Sequence, residues 1–131
     1  MPNWKAKGTK AERDLIKSLN ESGWSAIRAA GSGSSKYPSP DILAGNAIRR
    51  LAIECKVTKD KKKYFSKEEI EQLYVFSRNF GAESWVGIRF AGHDWRFFML
   101  EDLEQTANSY VASWEIAKIR GLELKELLEK D

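Results

Sequence analysis

The sequence is poor in the residues that most often cross-link small proteins or bind zinc in them. Its 131 residues include one cysteine and one histidine. Cys55 alone excludes an internal disulfide framework and predicts a reducing compartment. With only His93 beside it, the chain also lacks the ligand set of an ordinary zinc site.

Long apolar runs are missing as well. No stretch approaches the ~20 apolar residues of a membrane-spanning helix, and the first residues lack the apolar core of a signal peptide. We therefore expect no membrane contact and a cytoplasmic protein. The hydrophobic content of 42% is enough for a folded core. The length predicts a single domain over residues 1–131, with residues 1–7 as a loose basic arm.

The positive charge is modest but clustered. The net charge is +3, and lysines crowd both the N-terminus and a predicted loop at residues 59–63. Such clusters attract phosphate backbones, although most charge runs are only solvated surface. The candidate DNA contacts are Lys5, Lys7, Lys10, Arg13, Arg28, Lys36, Lys61, Lys62 and Lys63.

Hydrophobic periodicity predicts a mixture of helices and strands. Helices are expected at residues 8–22, 66–80, 113–120 and 122–130. Strands are expected at residues 24–30, 41–44, 49–58, 84–90 and 95–100, with a short one at 110–112. This order predicts an α/β fold in which a central mixed β-sheet is flanked by helices.

Charged residues interrupt the apolar runs at four positions. Asp41 precedes Ile42-Leu43, and Glu54 and Lys56 project from the same side of the strand at 49–58. A hairpin turn near Gly45-Asn46 would bring Asp41 beside Glu54. Glu12 lies on the apolar side of the first helix and can reach the same place. Clustered carboxylates repel one another unless a cation lies between them, and Mg²⁺ prefers such oxygen ligands.

The spacing of these residues resembles that of a nuclease superfamily. Pro40-Asp41, followed by Glu54-Cys55-Lys56, is similar to its Pro-Asp…(Asp/Glu)-x-Lys motif, which implies a restriction-endonuclease-like fold. Further segments follow the order seen in archaeal Holliday-junction resolvases, and the resemblance covers roughly residues 5–128. These segments lie at residues 8–14, 28–34, 40–42, 53–56, 71–73, 110–111 and 121–122.

The resemblance implies a specific chemistry. Glu12, Asp41 and Glu54 would be the Mg²⁺ ligands, and Mn²⁺ is expected to substitute. Lys56 would stabilise the transition state, and Ser32 would contribute to catalysis. The family resemblance also implies a homodimer that cuts four-way DNA junctions at two symmetric positions.

Other interpretations stay open. The protein could be a restriction-type or other duplex or branched-DNA nuclease, or a DNA-binding module of the same fold without catalysis. Glu54 and Lys56 could form only an ion pair on an exposed strand. For a dimer, we expect the contact surface to be the aromatic residues Trp85, Trp95 and Phe97.

Overall fold

The protein has four helices and eight strands in the part of the chain that the structure, a computed structural model, describes. That part is residues 4–29 and 37–130, with side chains described from residue 7 onward. The elements are α1 (Trp4–Glu21), β1 (Ser25–Arg28), β2 (Ile42–Gly45), β3 (Arg50–Thr58), β4 (Lys62–Ser66), α2 (Lys67–Phe80), β5 (Glu83–Phe90), β6 (Arg96–Met99), β7 (Glu104–Gln105), β8 (Ser109–Ser113), α3 (Trp114–Arg120) and α4 (Leu124–Glu129). A short 3-10 helix, Leu100–Asp102, follows β6.

Five strands form a mixed central sheet in the order β1-β2-β3-β5-β6. The β3–β5 pair is parallel, and the other pairs are antiparallel. A second, three-stranded sheet has the order β4-β8-β7. The predicted α/β class and mixed central sheet are therefore confirmed.

Two apolar layers enclose the central sheet. On one face, Leu15 and Leu19 of α1 and Leu127 of α4 pack with Ile53 of β3. On the other face, the apolar side of α2 packs with β4, β8 and α3 around Ala52, the neighbour of Ile53 in β3. Successive residues of β3 thus enter opposite layers, which is why this strand is apolar on both faces.

Local signals set the ends of α2 as predicted. The Ser66 hydroxyl accepts a hydrogen bond from the Glu69 backbone N–H at 3.0 Å, which caps the first turn. Gly81 ends the helix with φ of 83°, a left-handed conformation that other residues adopt only with strain. These two residues fix where the chain leaves β4 and where it enters β5.

Arg49 ties the sheet to the C-terminal part of the chain. Its guanidinium donates to the Glu83 carboxylate at 2.8 Å and to the Leu127 carbonyl at 2.8 Å. It also lies 5.4 Å from the centre of the Trp24 ring. This one side chain therefore links the β2–β3 hairpin to β5 and α4.

The structure differs from the sequence prediction at two basic segments. Helix α1 begins at Trp4, so residues 4–7 are helical and do not form a loose arm. Lys62 and Lys63 belong to β4, whereas the sequence predicted a loop there. The sequence did not predict this strand because Phe65 is its only buried residue and its pairing partner, β8, lies far along the sequence.

The aromatic residues predicted to form a dimer surface lie instead in the core. Trp85, Trp95 and Phe97 are 1%, 8% and 0% exposed. Gly87 makes room for Phe97, since a Cβ at Gly87 would lie 3.0 Å from its ring. The prediction that Trp85, Trp95 and Phe97 form the dimer contact was therefore wrong: β5 and β6 are covered on both faces.

None of the helices within residues 4–29 and 37–130 combines the length and apolarity that a membrane crossing requires.

Candidate active site

The β2–β3 hairpin brings Asp41 and Glu54 together, as the sequence predicted. Ile42 pairs with Ile53 in the antiparallel register, so continuing the register by one residue sets Asp41 opposite Glu54. The two carboxyl groups are close enough for the charge of Asp41 to act on Glu54. A second contact orients the Asp41 side chain, because its Oδ2 accepts a hydrogen bond from the Cys55 backbone N–H at 2.8 Å.

The nearness of Asp41 changes the protonation of Glu54. Burial is the largest cause, followed by the negative charge of Asp41, and together they raise the pKa of Glu54 to about 8. Lys56 opposes the shift, and Glu69 of α2 adds to it. Burial and the charge of Asp41 both disfavour a negative charge on Glu54, and a cation between the two carboxylates would remove this penalty.

Lys56 stands beside the carboxyl pair. Its Nζ lies 4.0 Å from Oε2 of Glu54, and its side chain is about one-third exposed (32%). The predicted shared face of Glu54 and Lys56 is therefore present. At 4.0 Å the ion pair is loose, so the ammonium remains available to a second negative group.

Glu12 approaches the same place from α1 but is held by another partner. Arg28 Nε donates to Glu12 Oε1 at 3.0 Å. Burial raises the pKa of Glu12, the hydrogen bond from Arg28 lowers it, and the charge of Asp41 raises it again. Arg28, predicted as a DNA contact, is thus the ion-pair partner of a predicted metal ligand.

The three predicted ligands do not form one metal-binding group in this arrangement. Across residues 4–29 and 37–130, no three His, Cys, Asp or Glu side chains are placed so that they could hold an ion together. Asp41 and Glu54 face each other, while Glu12 is turned to Arg28. The ligand role of each residue remains a prediction.

Glu69 was missed by sequence reasoning. It lies in the first turn of α2, after the cap residue Ser66, and its charge contributes to the raised pKa of Glu54. Together with Gln72 and Pro40, it lines a cavity of about 50 Å³ against Glu54. An acidic residue in the first turn is typical of any helix start, so the sequence carried no separate signal for the site.

Cys55 belongs to the core behind the site. It is 6% exposed, and burial raises the pKa of its thiol well above the usual value. The thiol is therefore protonated and unreactive at neutral pH.

Some predicted residues cannot be placed. Ser32 and Lys36 lie outside the described residues, and Lys5 is in α1 without a described side chain. Among the remaining predicted DNA contacts, Lys7, Lys10, Arg13, Lys61 and Lys62 are exposed, and Lys63 is half-buried. Lys10 pairs with Asp14 at 3.2 Å on the surface of α1.

Comparisons with known proteins find one family of similar chains. A family model described as "Archaeal holliday junction resolvase (hjc)" matches residues 3–131. The chain is similar to the crossover junction endodeoxyribonuclease Hjc of Archaeoglobus fulgidus, with 44% identity over 96% of this chain and 92% of that protein. It is also similar to the protein of the same name from Sulfolobus acidocaldarius, with 35% identity over 95% of this chain and 87% of that protein.

A solved structure is similar throughout. The structure of Archaeoglobus fulgidus Hjc, a Holliday junction resolvase from an archaeal hyperthermophile, matches with a TM-score of 0.86 at 43% identity. The match covers 92% of this chain and 98% of that one.

Proposed function

Because the chain belongs to the archaeal Holliday junction resolvase (Hjc) family, we propose that it is an endonuclease that cuts four-way DNA junctions at two symmetric positions. One observation carries the catalytic part of the proposal: Asp41 and Glu54 lie close together, and Lys56 lies 4.0 Å from Glu54. A module that only binds DNA has no use for a carboxyl pair that costs solvation and repulsion. The whole chain would act as one nuclease domain.

The donor set fits a divalent cation. Asp41 and Glu54 are neighbouring hard oxygen donors, the ligand type that Mg²⁺ prefers, and a cation would neutralise the charge that each imposes on the other. They would hold Mg²⁺ or Mn²⁺, and Glu12 would join them on leaving Arg28. When bound, such an ion lowers the pKa of a water and stabilises charge on the phosphoryl oxygens.

The residues of the chain have separate tasks in this proposal. The Cys55 backbone N–H keeps Asp41 oriented. Glu54 holds the Lys56 ammonium near the scissile phosphate, where it stabilises the negative charge that develops during hydrolysis. Ser32, from the family motif, would contribute to catalysis beside them.

The direct test compares a junction with a duplex. The protein is incubated with Mg²⁺ and a labelled four-way junction, and separately with a linear duplex containing the sequence of one arm. We expect two symmetric cuts in the junction and an intact duplex. Equal cutting of both substrates would favour the restriction-type alternative. Tight binding without any cutting would favour the non-catalytic module.

The lysines that follow β3 are proposed to contact the DNA backbone. Changing Lys61, Lys62 and Lys63 together to glutamine should flatten the dependence of log K on log[salt] by about 0.9 for each phosphate that the variant no longer neutralises. Binding isotherms of the junction in EDTA, at several salt concentrations, measure this slope. An unchanged slope in the triple variant would mean that this segment points away from the DNA.

A two-fold dimer would provide the second cut, since each chain offers one carboxyl pair. With Trp85, Trp95 and Phe97 buried, the outer side of α2 is the better candidate for the contact. Val75 and Phe80 are 46% and 51% exposed, and Phe80 stacks on Phe76 with ring centres 5.4 Å apart. These residues recur at helical spacing and line an apolar groove of about 590 Å³ with Tyr37.

Disrupting this face should separate the subunits. Val75→Glu with Phe80→Glu should give a monomer that cuts the two strands independently, because buried charges without partners oppose association. Sedimentation velocity and the fraction of junctions cut in both strands measure the two effects. Ile119→Glu, a matched change at an apolar residue of α3 that is 78% exposed, should leave the dimer intact. A double variant that stays dimeric would refute the assignment of this surface.

The proposed reaction also indicates where in the cell the protein acts. Junction DNA is a chromosomal intermediate, and Cys55 is a buried free thiol. A cytoplasmic, nucleoid-associated protein in a reducing compartment agrees with both.

A further inference from the structure

Arg89 differs from the other half-buried arginines. Arg49 donates to Glu83 and to two backbone carbonyls, and Arg96 pairs with Glu123 and lies over the Trp114 ring. Arg89 is half-buried near the end of β5, yet its side chain has no hydrogen-bond, ion-pair or ring partner in the described part of the chain. A guanidinium carries five donors and stays charged, so a half-buried one without a partner is a cost to the fold.

Arg89 faces a groove rather than bulk protein. The groove has a volume of about 500 Å³ and lies between α1 and the carboxyl ends of β3 and β5. Its lining includes Lys10 of α1, Thr58 of β3, and His93 in the turn after β5. His93 is held in place by stacking on Trp114, with ring centres 3.8 Å apart. We call this space the Arg89 groove.

The Arg89 groove adjoins the candidate active site. Thr58 follows Lys56 by two residues, which is about 7 Å along a strand. On the opposite wall, Ala11 of α1 directly precedes Glu12. A DNA strand whose phosphate lies at Glu54 and Lys56 would therefore continue past the groove.

The charges of the groove favour an anion at Arg89 itself. Lys7, Lys10 and Arg89 line it together with two carboxylates, Asp14 and Asp94. Neither carboxylate pairs with Arg89: Asp14 is engaged by Lys10 at 3.2 Å on the surface, and no ion pair joins Asp94 to Arg89 in the described part of the chain. A guanidinium fork matches the two non-bridging oxygens of a phosphodiester in geometry as well as charge.

From these observations we infer that the Arg89 groove is a subsite for one backbone phosphate of the bound DNA, beside the cleaved one, and that Arg89 holds it. The inference rests on the proposed function and adds to it a positioning residue outside the nuclease motif. A phosphate bound here fixes the register of the strand on the active site, because phosphate contacts set position without reading sequence.

Salt dependence and backbone substitution test this inference together. Binding of the junction to Arg89→Gln is measured in EDTA at several salt concentrations. We expect affinity to fall about tenfold or more, the scale of one charged hydrogen-bonded contact, and the salt slope to fall by about 0.9. Arg89→Lys should keep the slope but bind more weakly. Arg120→Gln, a charge-matched change on α3 at an arginine that is 63% exposed, should change neither quantity.

A methylphosphonate scan identifies the phosphate. Neutral methylphosphonates are placed one at a time near the cut. One position should weaken binding of the wild type and have no further effect on Arg89→Gln, since the two changes remove the same interaction. Thermal unfolding of Arg89→Gln and Arg89→Lys shows that both variants are folded.

The outcomes separate this inference from the proposed function. If the wild type cuts the junction, but Arg89→Gln has the wild-type salt slope and responds to every methylphosphonate as the wild type does, Arg89 does not hold a phosphate. The proposed function then stands. If the wild type binds DNA without cutting it, the proposed catalysis fails. The methylphosphonate scan measures binding alone, so it still shows whether Arg89 holds a phosphate. If the wild type binds no DNA, both are overturned.

Discussion

Asp41→Asn is expected to abolish cleavage of the four-way junction while leaving its binding intact. The reason is that Asp41 is one half of the carboxyl pair and is already oriented by the Cys55 backbone N–H. An asparagine keeps the shape and can still accept that hydrogen bond, but it lacks the charge that holds a divalent cation. The cleavage rate under single-turnover conditions should fall by at least about 10²- to 10³-fold. Glu54→Gln should behave in the same way.

The control is a matched change elsewhere. Glu115→Gln removes an exposed carboxylate of α3 that pairs with Lys118 at 3.6 Å, and it should leave the rate unchanged. Normal cleavage by Asp41→Asn, or full activity of the wild type in EDTA, would end the metal-dependent account.

A second measurement on the same variant does not depend on catalysis. Mn²⁺ titration monitored by thermal unfolding should stabilise the wild type, since a ligand that binds only the folded state raises its unfolding temperature. Asp41→Asn should show a much smaller shift. Without metal, the variant should be at least as stable as the wild type, because it removes the charge of Asp41 that opposes the ionisation of Glu54.

The sequence predicted the local geometry of the site well. The turn near Gly45 and the alternation of β3 set Asp41 opposite Glu54 and Lys56 beside it, because a hairpin register depends on nearby residues alone. The pairing of Glu12 with Arg28 was not predictable. It depends on how α1 packs on β1 and on which rotamers two long side chains adopt, and neither is encoded in a local pattern.

Non-local packing explains the remaining errors. Strand β4 was missed because its hydrogen-bond partner β8 is about fifty residues away and its lysines suggested a loop. The aromatic residues of β5 and β6 were assigned to the surface because the sequence does not show that both faces of the sheet are covered. The exposed apolar residues of α2, such as Val75 and Phe80, were not predicted to be exposed, because apolar spacing alone does not show which residues of a helix will be covered.

Lys56→Ala is expected to slow cleavage by about 10²-fold, the scale of removing one preorganised electrostatic group. Lys56 is loosely paired with Glu54, at 4.0 Å, and its side chain is only one-third exposed. A lysine that stabilises charge in the transition state should affect the rate at saturating junction and leave the dissociation constant nearly unchanged. A lysine that serves only the ion pair should change stability by less than about 1 kcal/mol and leave the rate alone.

The two readouts therefore distinguish transition-state stabilisation from a structural ion pair. Single-turnover rates at saturating protein give the effect on the chemical step, and binding in EDTA gives the effect on affinity. Lys125→Ala, the same change at an exposed residue of α4, controls for loss of one positive charge. Lys56→Arg should recover only part of the rate, because the planar guanidinium cannot take the position of the compact ammonium beside Glu54. A Lys56→Ala variant that cuts at the wild-type rate would return Lys56 to the ion-pair interpretation and would leave the carboxyl pair as the only catalytic group of β2 and β3.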